Sequence, residues 1–235
     1  MFGQYDAPVS VSEEGISLSL QQDGDRFTYQ RTCMEDTTRK TLLSSGGRLL
    51  LNPVEPLNKP KNLSPYLLIR LEESLMVGPG EAKTVFLTFP VEIGAYFGRE
   101  DHFELVDIFT LAVQKYTLYG EPSNGFICRY WKSGVFSASP DISPLHEGVL
   151  ELRLVNTSDG WVDVSKVVFN AYGMKVFYNA QRVVMKGTMR LRSGNLAETG
   201  FEGLPPESDM IHALEVYTAK KLSMSSSKFV MEFGL

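Results

Sequence analysis

The sequence predicts an all-β protein, two tandem immunoglobulin-like β-sandwiches, with one large jelly-roll-like sandwich as the alternative. Three observations lead there. Almost every hydrophobic periodicity has period two, Gly, Pro, Asn and Asp recur between the alternating stretches, and one stretch alone carries a helical pattern. A chain of 235 residues suits either architecture.

Taken in order, "GISLSL" puts Ile16, Leu18 and Leu20 on one face. "QDGD" then supplies an Asp-Gly turn, and Phe27 and Tyr29 alternate with Arg26, Thr28 and Gln30. That is a hairpin signature. "RLLLNPVEPLNKPKNLSP" reads as a short strand running into a Pro- and Asn-rich loop, and "YLLIRLEESLMV" as a strand ended by the Pro-Gly of "VGPGE". In "KTVFLTFPVEIG", Val85, Leu87, Phe89, Val91 and Ile93 form one face, and Thr84, Phe86, Thr88, Pro90 and Glu92 a second face turned to water. Pro90 has no backbone donor, so it is expected at an edge or bulge, where it blocks stray strand pairing.

"KYTLYGEPSNGFICRYW" gives two aromatic-rich strands around a turn, and "GVLELRLVNTSDGWVDVSKVVFN" two more, with Leu150, Leu152 and Leu154 inward. In "RVVMKGTMRLR" the odd positions are apolar, and mid-strand Gly187 fits a bulge or a close backbone approach. "SDMIHALEVYTAKKL" fits a helix capped by Ser208 but also alternates, and its β neighbourhood favours a strand. In "SKFVMEFGL", Phe229, Met231, Phe233 and Leu235 face the core.

Charge divides the chain. Residues 1–122 carry 11 Lys and Arg against 17 Asp and Glu, and residues 123–235 carry 12 against 11, within a net charge of −5. The boundary between an acidic N-terminal and a C-terminal sandwich is therefore expected near 121–124, although a hairpin there would keep both halves in one sheet. The acidic balance disfavours general nucleic-acid binding. No apolar run is long enough for a spanning helix, and the first residues lack a signal-peptide pattern. Cys33 and Cys128 match no metal or redox spacing, so two reduced, half-buried thiols in a cytoplasmic protein are expected.

Motifs for nucleophilic catalysis, phosphate cradles and zinc are missing, and no cofactor or catalytic residue is expected. The acidic run "GREDHFELVD" offers Glu100, Asp101, Glu104 and Asp107. A strand sends such neighbours to opposite faces, so a solvated acidic segment is the better reading than a metal site. Tyr130 and Trp131 in "RYWK" suggest carbohydrate stacking, but alternation sends them to opposite faces too.

The strongest candidate is a basic stripe. Between Asp163 and Glu198 there is no acidic residue, and Arg182, Lys186, Arg190 and Arg192 share one strand face. This face is a candidate contact surface for an acidic protein or other anionic macromolecule. It is alternatively an ordinary solvated face, or a contact with the acidic half of the chain. The reading that follows is a non-enzymatic binding protein, the alternative a carbohydrate-binding or carbohydrate-active sandwich.

Finally, "VFLTFPVEIG", "KYTLYGEPSNGFICRYWKS", "VNTSDGWVDVSKVVF" and "LSMSSSKFVMEFGL" resemble the domain of unknown function 432 group of archaeal proteins. The resemblance implies an archaeal, cytoplasmic setting. It brings no activity and no catalytic residue to any position.

Overall fold

The computed structural model describes residues 1–60, 63–100, 102–216 and 228–235. Among them there are four β-sheets, a single 3-10 turn at Ala171–Gly173 and no α-helix. The chain lays down β1 (Gly3–Asp6), then a four-strand meander, β2 (Val9–Glu13), β3 (Ile16–Asp23), β4 (Arg26–Cys33) and β5 (Asp36–Leu43). β6 (Arg48–Val54) returns to pair with β1. β7 (Tyr66–Val77) and β8 (Ala82–Pro90) come next, followed by β9 (Glu92–Arg99) and β10 (His102–Phe109). Sheet I is β1-β6-β9-β10, and the meander is sheet II. The predicted hairpin is β3–β4, with Gly24 at φ 57 in its turn. Ile16, Leu18, Leu20, Phe27 and Tyr29 are all buried on its inner face.

The second group is β11 (Tyr116–Tyr119), β12 (Phe126–Ser133), β13 (Glu147–Asn156), β14 (Val162–Asn170), β15 (Phe177–Tyr178), β16 (Val183–Ser193), β17 (Leu196–Glu202), β18 (Ile211–His212) and β19 (Phe229–Met231). Sheet III is β11-β12-β7-β14. Sheet IV runs β18-β15-β16-β13-β8, with β17 on β16 and β19 on β17. The pairs β12/β7 and β13/β16 are parallel, the others antiparallel. Ladders thus join residues on both sides of 121–124: β7 pairs with β12 and β14, and β8 with β13. The turn "NTSDG" carries the chain from sheet IV to sheet III. It is clamped by Asn156, whose Nδ2 donates to Val77 O (3.0 Å) and Gly160 O (2.8 Å).

Sheets I and II face each other, the Phe27 and Phe97 rings 4.9 Å apart. Between sheets III and IV, Phe169 stacks on Phe201 at 4.7 Å. Gly187 lies at this second interface. A Cβ there would come within 3.1 Å of Leu150 Cδ1 and 3.3 Å of the Phe169 ring, so its role is close approach between sheets. The register shift of β16 falls later, between Leu191 and Ser193. One hydrophobic cluster runs through all four sheets.

The joint between the two sheet pairs corrects one expectation. β8 and β9 are separated by Val91 alone, so one extended stretch leaves sheet IV and enters sheet I. Residues 87–96 are buried on both faces, and the expected water-facing side does not exist there. β8 is an edge strand, as expected from Pro90, but the edge is covered. Phe86 N donates to Phe136 O (2.9 Å) and Thr88 N to Ser133 Oγ (2.7 Å). Pro90 is the next even position and is buried.

Of the stretch 208–222, Ile211–His212 form a short strand on β15, and residues 217–222 lie outside the described residues. Phe229, Met231 and Leu235 are buried while Val230 and Glu232 are exposed, the alternation expected. Both cysteines are free. They are packed inside the core rather than half-buried, because each sits on the inner face of a central strand. Burial pushes the Cys128 thiol up to about 12.

Candidate anion-binding site

Parity builds the outer face of sheet IV. Leu150, Leu152 and Leu154 on β13 and Met185, Gly187, Met189 and Leu191 on β16 point inward. Glu151, Arg153 and Val155, with Lys186, Thr188 and Arg190, therefore point outward. Because β13 and β16 run parallel, Glu151 stands opposite Lys186, Arg153 opposite Thr188 and Val155 opposite Arg190. β17 adds Glu202 opposite Lys186, Gly200 opposite Thr188 and Glu198 opposite Arg190.

This neighbourhood divides the predicted stripe. Lys186 Nζ pairs with Glu151 at 3.4 Å, and Arg182 pairs with Glu207 at 3.2 Å. Arg192 reaches Glu198 Oε1 through Nε (3.2 Å) and Nη2 (3.0 Å). These carboxylates all come from the same half of the chain as the stripe. Arg190 forms no ion pair among the described residues, nor does Arg153 beside it. Together with Lys228, Thr188, Val155 and Glu198 they line an open hollow of about 220 Å³. Gly200 keeps one wall low, since a Cβ there would touch nothing nearer than Lys228 Cγ at 3.7 Å. Glu198 is engaged by Arg192, so the hollow presents a surplus of positive charge to solvent. Arg153 was legible in sequence as an outward residue of "LELRLV". Its approach to Arg190 depends on a parallel pairing that no local pattern encodes.

Tyr130 and Trp131 do point to opposite faces. Both are partly buried against the core, and Trp131 Nε1 donates to Thr88 Oγ1 at 2.9 Å. Tyr130 instead looks into a hollow on sheet III. The acidic run does not converge. Asp107 is no solvated carboxylate, because its Oδ2 accepts from Arg31 Nε (2.9 Å) and Tyr29 OH (3.1 Å), which joins sheet I to sheet II. Asp101 lies outside the described residues, among which no group of three His, Cys, Asp or Glu is placed to hold a metal. Among the same residues no helix is long and apolar enough to cross a membrane.

Sequence reasoning also missed buried charge. Arg31, Glu92 and Arg129 have no exposed surface. Arg31 is satisfied four times over, by Asp107, by Asp36 O and Oδ2 (2.9 Å each), and by Thr38 Oγ1 (2.8 Å). Arg129 is not. Among the described residues none of its three guanidinium nitrogens has a hydrogen-bond partner within bonding distance, and its Cζ lies 5.6 Å from the Tyr116 ring centroid. Glu92 Oε2 accepts from Asn58 N at 2.9 Å. Burial raises the Glu92 carboxyl to about 7, against the lowering effect of the Asn58 hydrogen bonds and the Arg129 charge. Burial likewise lowers the Arg129 guanidinium.

The class these features define is an all-β protein of packed sheets. A family model described as "Protein of unknown function (DUF432)" matches residues 1–233, and the chain belongs to that family. No curated protein and no solved structure matches the chain.

Proposed function

We propose that the chain is a non-enzymatic binding protein that holds an acidic protein partner against the outer face of sheet IV, around Arg153 and Arg190. One observation carries this reading: two guanidinium groups from adjacent parallel strands line the same open hollow, with no ion pair of their own among the described residues. Guanidinium forks suit carboxylates, and a cluster of cations draws an anionic partner from a distance. The two-sandwich, immunoglobulin-like organisation belongs to the same proposal, with sheets I and II in one unit, III and IV in the other, and residues 66–90 lent by the first half to the second. So does the archaeal, cytoplasmic setting that the family resemblance implies. The carbohydrate reading rests on Tyr130 alone, because the Trp131 N–H is already committed.

Retention on immobilised poly-glutamate tests the proposal. Wild type should be retained and should elute as salt rises, since the screening length falls from about 10 Å at 0.1 M to about 3 Å at 1 M. The double variant Arg153→Glu/Arg190→Glu should flow through with thermal unfolding nearly unchanged, because exposed charges contribute little to stability. Equal retention of variant and wild type would overturn it.

A further inference from the structure

The outer face of sheet III carries a second cationic site, built on other strands than the first. Lys166 on β14 stands directly opposite Arg70 on β7, at the point where the ladder breaks between Val164 and Lys166. Like charges placed directly opposite across a strand pair destabilise it. Carboxylates nearby do not relieve this. Lys132, opposite Arg70 on the other side, takes Glu72 at 3.3 Å, and neither Arg70 nor Lys166 forms an ion pair among the described residues. The two cations line a hollow of about 480 Å³ with Leu68, Tyr130, Tyr119 and Phe233. Glu121 lies at its rim as the single lining carboxylate among the described residues. Lys166 Nζ sits 5.8 Å from the Tyr119 ring centroid. That ring is fixed in place, since its hydroxyl donates to Gly234 O (3.1 Å) and accepts from Phe233 N (3.0 Å). The oxygen of Leu235, close by, accepts from Ser165 Oγ at 2.8 Å. Partial burial, and after it the Arg70 charge, lowers the Lys166 ammonium from its ordinary value.

We propose that this hollow binds a small organic oxyanion, its phosphate or carboxylate headgroup held between Arg70 and Lys166 and its planar body against Tyr130 and Phe233. The headgroup turns a repulsive pair into a clamp, with a guanidinium fork on one side and an ammonium point charge on the other. The aromatic wall supplies apolar contact for the rest of the molecule. A neutral sugar would leave the repulsion in place.

Calorimetric titration with phenyl phosphate, benzoate and inorganic phosphate tests the site, and the first two separate the headgroups. At least one of the phenyl compounds should bind saturably and more tightly than inorganic phosphate. Arg70→Gln and Lys166→Gln should each weaken it by about tenfold or more, as expected on losing a hydrogen bond to a charged group. Arg153→Gln/Arg190→Gln should leave this binding intact, so failure here and failure of the sheet IV site are distinguishable. A thermal readout guards against a merely structural role. Without ligand, Lys166→Gln should unfold at the same temperature as wild type or higher, and the upward shift given by the ligand should disappear. Three probes without saturable binding would overturn the proposal. So would affinities unchanged in both variants, or a Lys166→Gln protein that is destabilised yet keeps the ligand shift.

Discussion

Burial sets the behaviour of Glu92, whose carboxyl is raised from 4.5 to about 7 even with Arg129 nearby. Between those two values the unfolded chain has lost the proton that the folded chain keeps. The stability this group contributes should therefore be fully present at or below pH 4.5 and be lost as pH rises to 7, by on the order of 3 kcal/mol. Urea unfolding across that window should show the decline in wild type and lose this component in Glu92→Gln. A slope identical in both proteins would place the proton elsewhere. Arg31 makes the contrasting case, since its guanidinium is fully bonded. Arg31→Met strands Asp107 between sheets I and II and should cost about 3–5 kcal/mol in the same assay. Neither residue was legible. In "TYQRTC" alternation puts Arg31 on the inner face with Phe27 and Tyr29, where its residue type argues against burial, and in "FPVEIG" the glutamate falls on the face assigned to water. At Glu92 a second covered face overrode local alternation, and at Arg31 the carboxylate that makes burial possible, Asp107, comes from a strand distant in sequence.

Period two carried the reading of single elements well, and it failed where a strand serves two sheets. The β3–β4 hairpin, the β11–β12 hairpin and the inward set of β16 all follow from alternation. The stretch from β8 into β9 alternates just as cleanly, yet both of its faces are covered between residues 87 and 96. Pro90 is therefore less a guard against stray chains than a residue fitted to a buried flank whose neighbours already use Phe136 O and Ser133 Oγ. Pro90→Thr adds a buried donor there. It should cost about 1–3 kcal/mol, read from the urea midpoint, with light scattering unchanged. New association at unaltered stability would restore the exposed-edge reading. At Gly187 a bulkier residue has to push Leu150 and Phe169 apart, so Gly187→Val should destabilise by about 1–3 kcal/mol. The candidate site was half legible for a related reason. Parity assigns Arg190 and Arg153 to outward faces, but strand order decides that Lys186 meets Glu151 while Arg190 and Arg153 share a hollow.

At the scale of the molecule, the ladders of β7 and β8 set what can fold alone. A fragment of residues 123–235 lacks both strands, leaving β12 and β14 without the strand between them and β13 without one neighbour. It should show no cooperative unfolding by circular dichroism, and mixing it with residues 1–122 should restore a sharp transition. Independent, native-like unfolding of the fragment would show that its sheets do not need β7 and β8. The same connectivity has a consequence in time. On the ribosome, at about 5–20 residues per second, β7 is complete well before either neighbour in sheet III exists, and β8 before β13. Through that interval Leu67, Ile69, Leu87 and Phe89 wait unpaired next to a sheet I that closes as soon as β10 emerges. Glu72, Glu73, Glu81 and Lys83 are among the charges this waiting segment carries, of the kind that discourages an exposed apolar strand from joining another nascent chain.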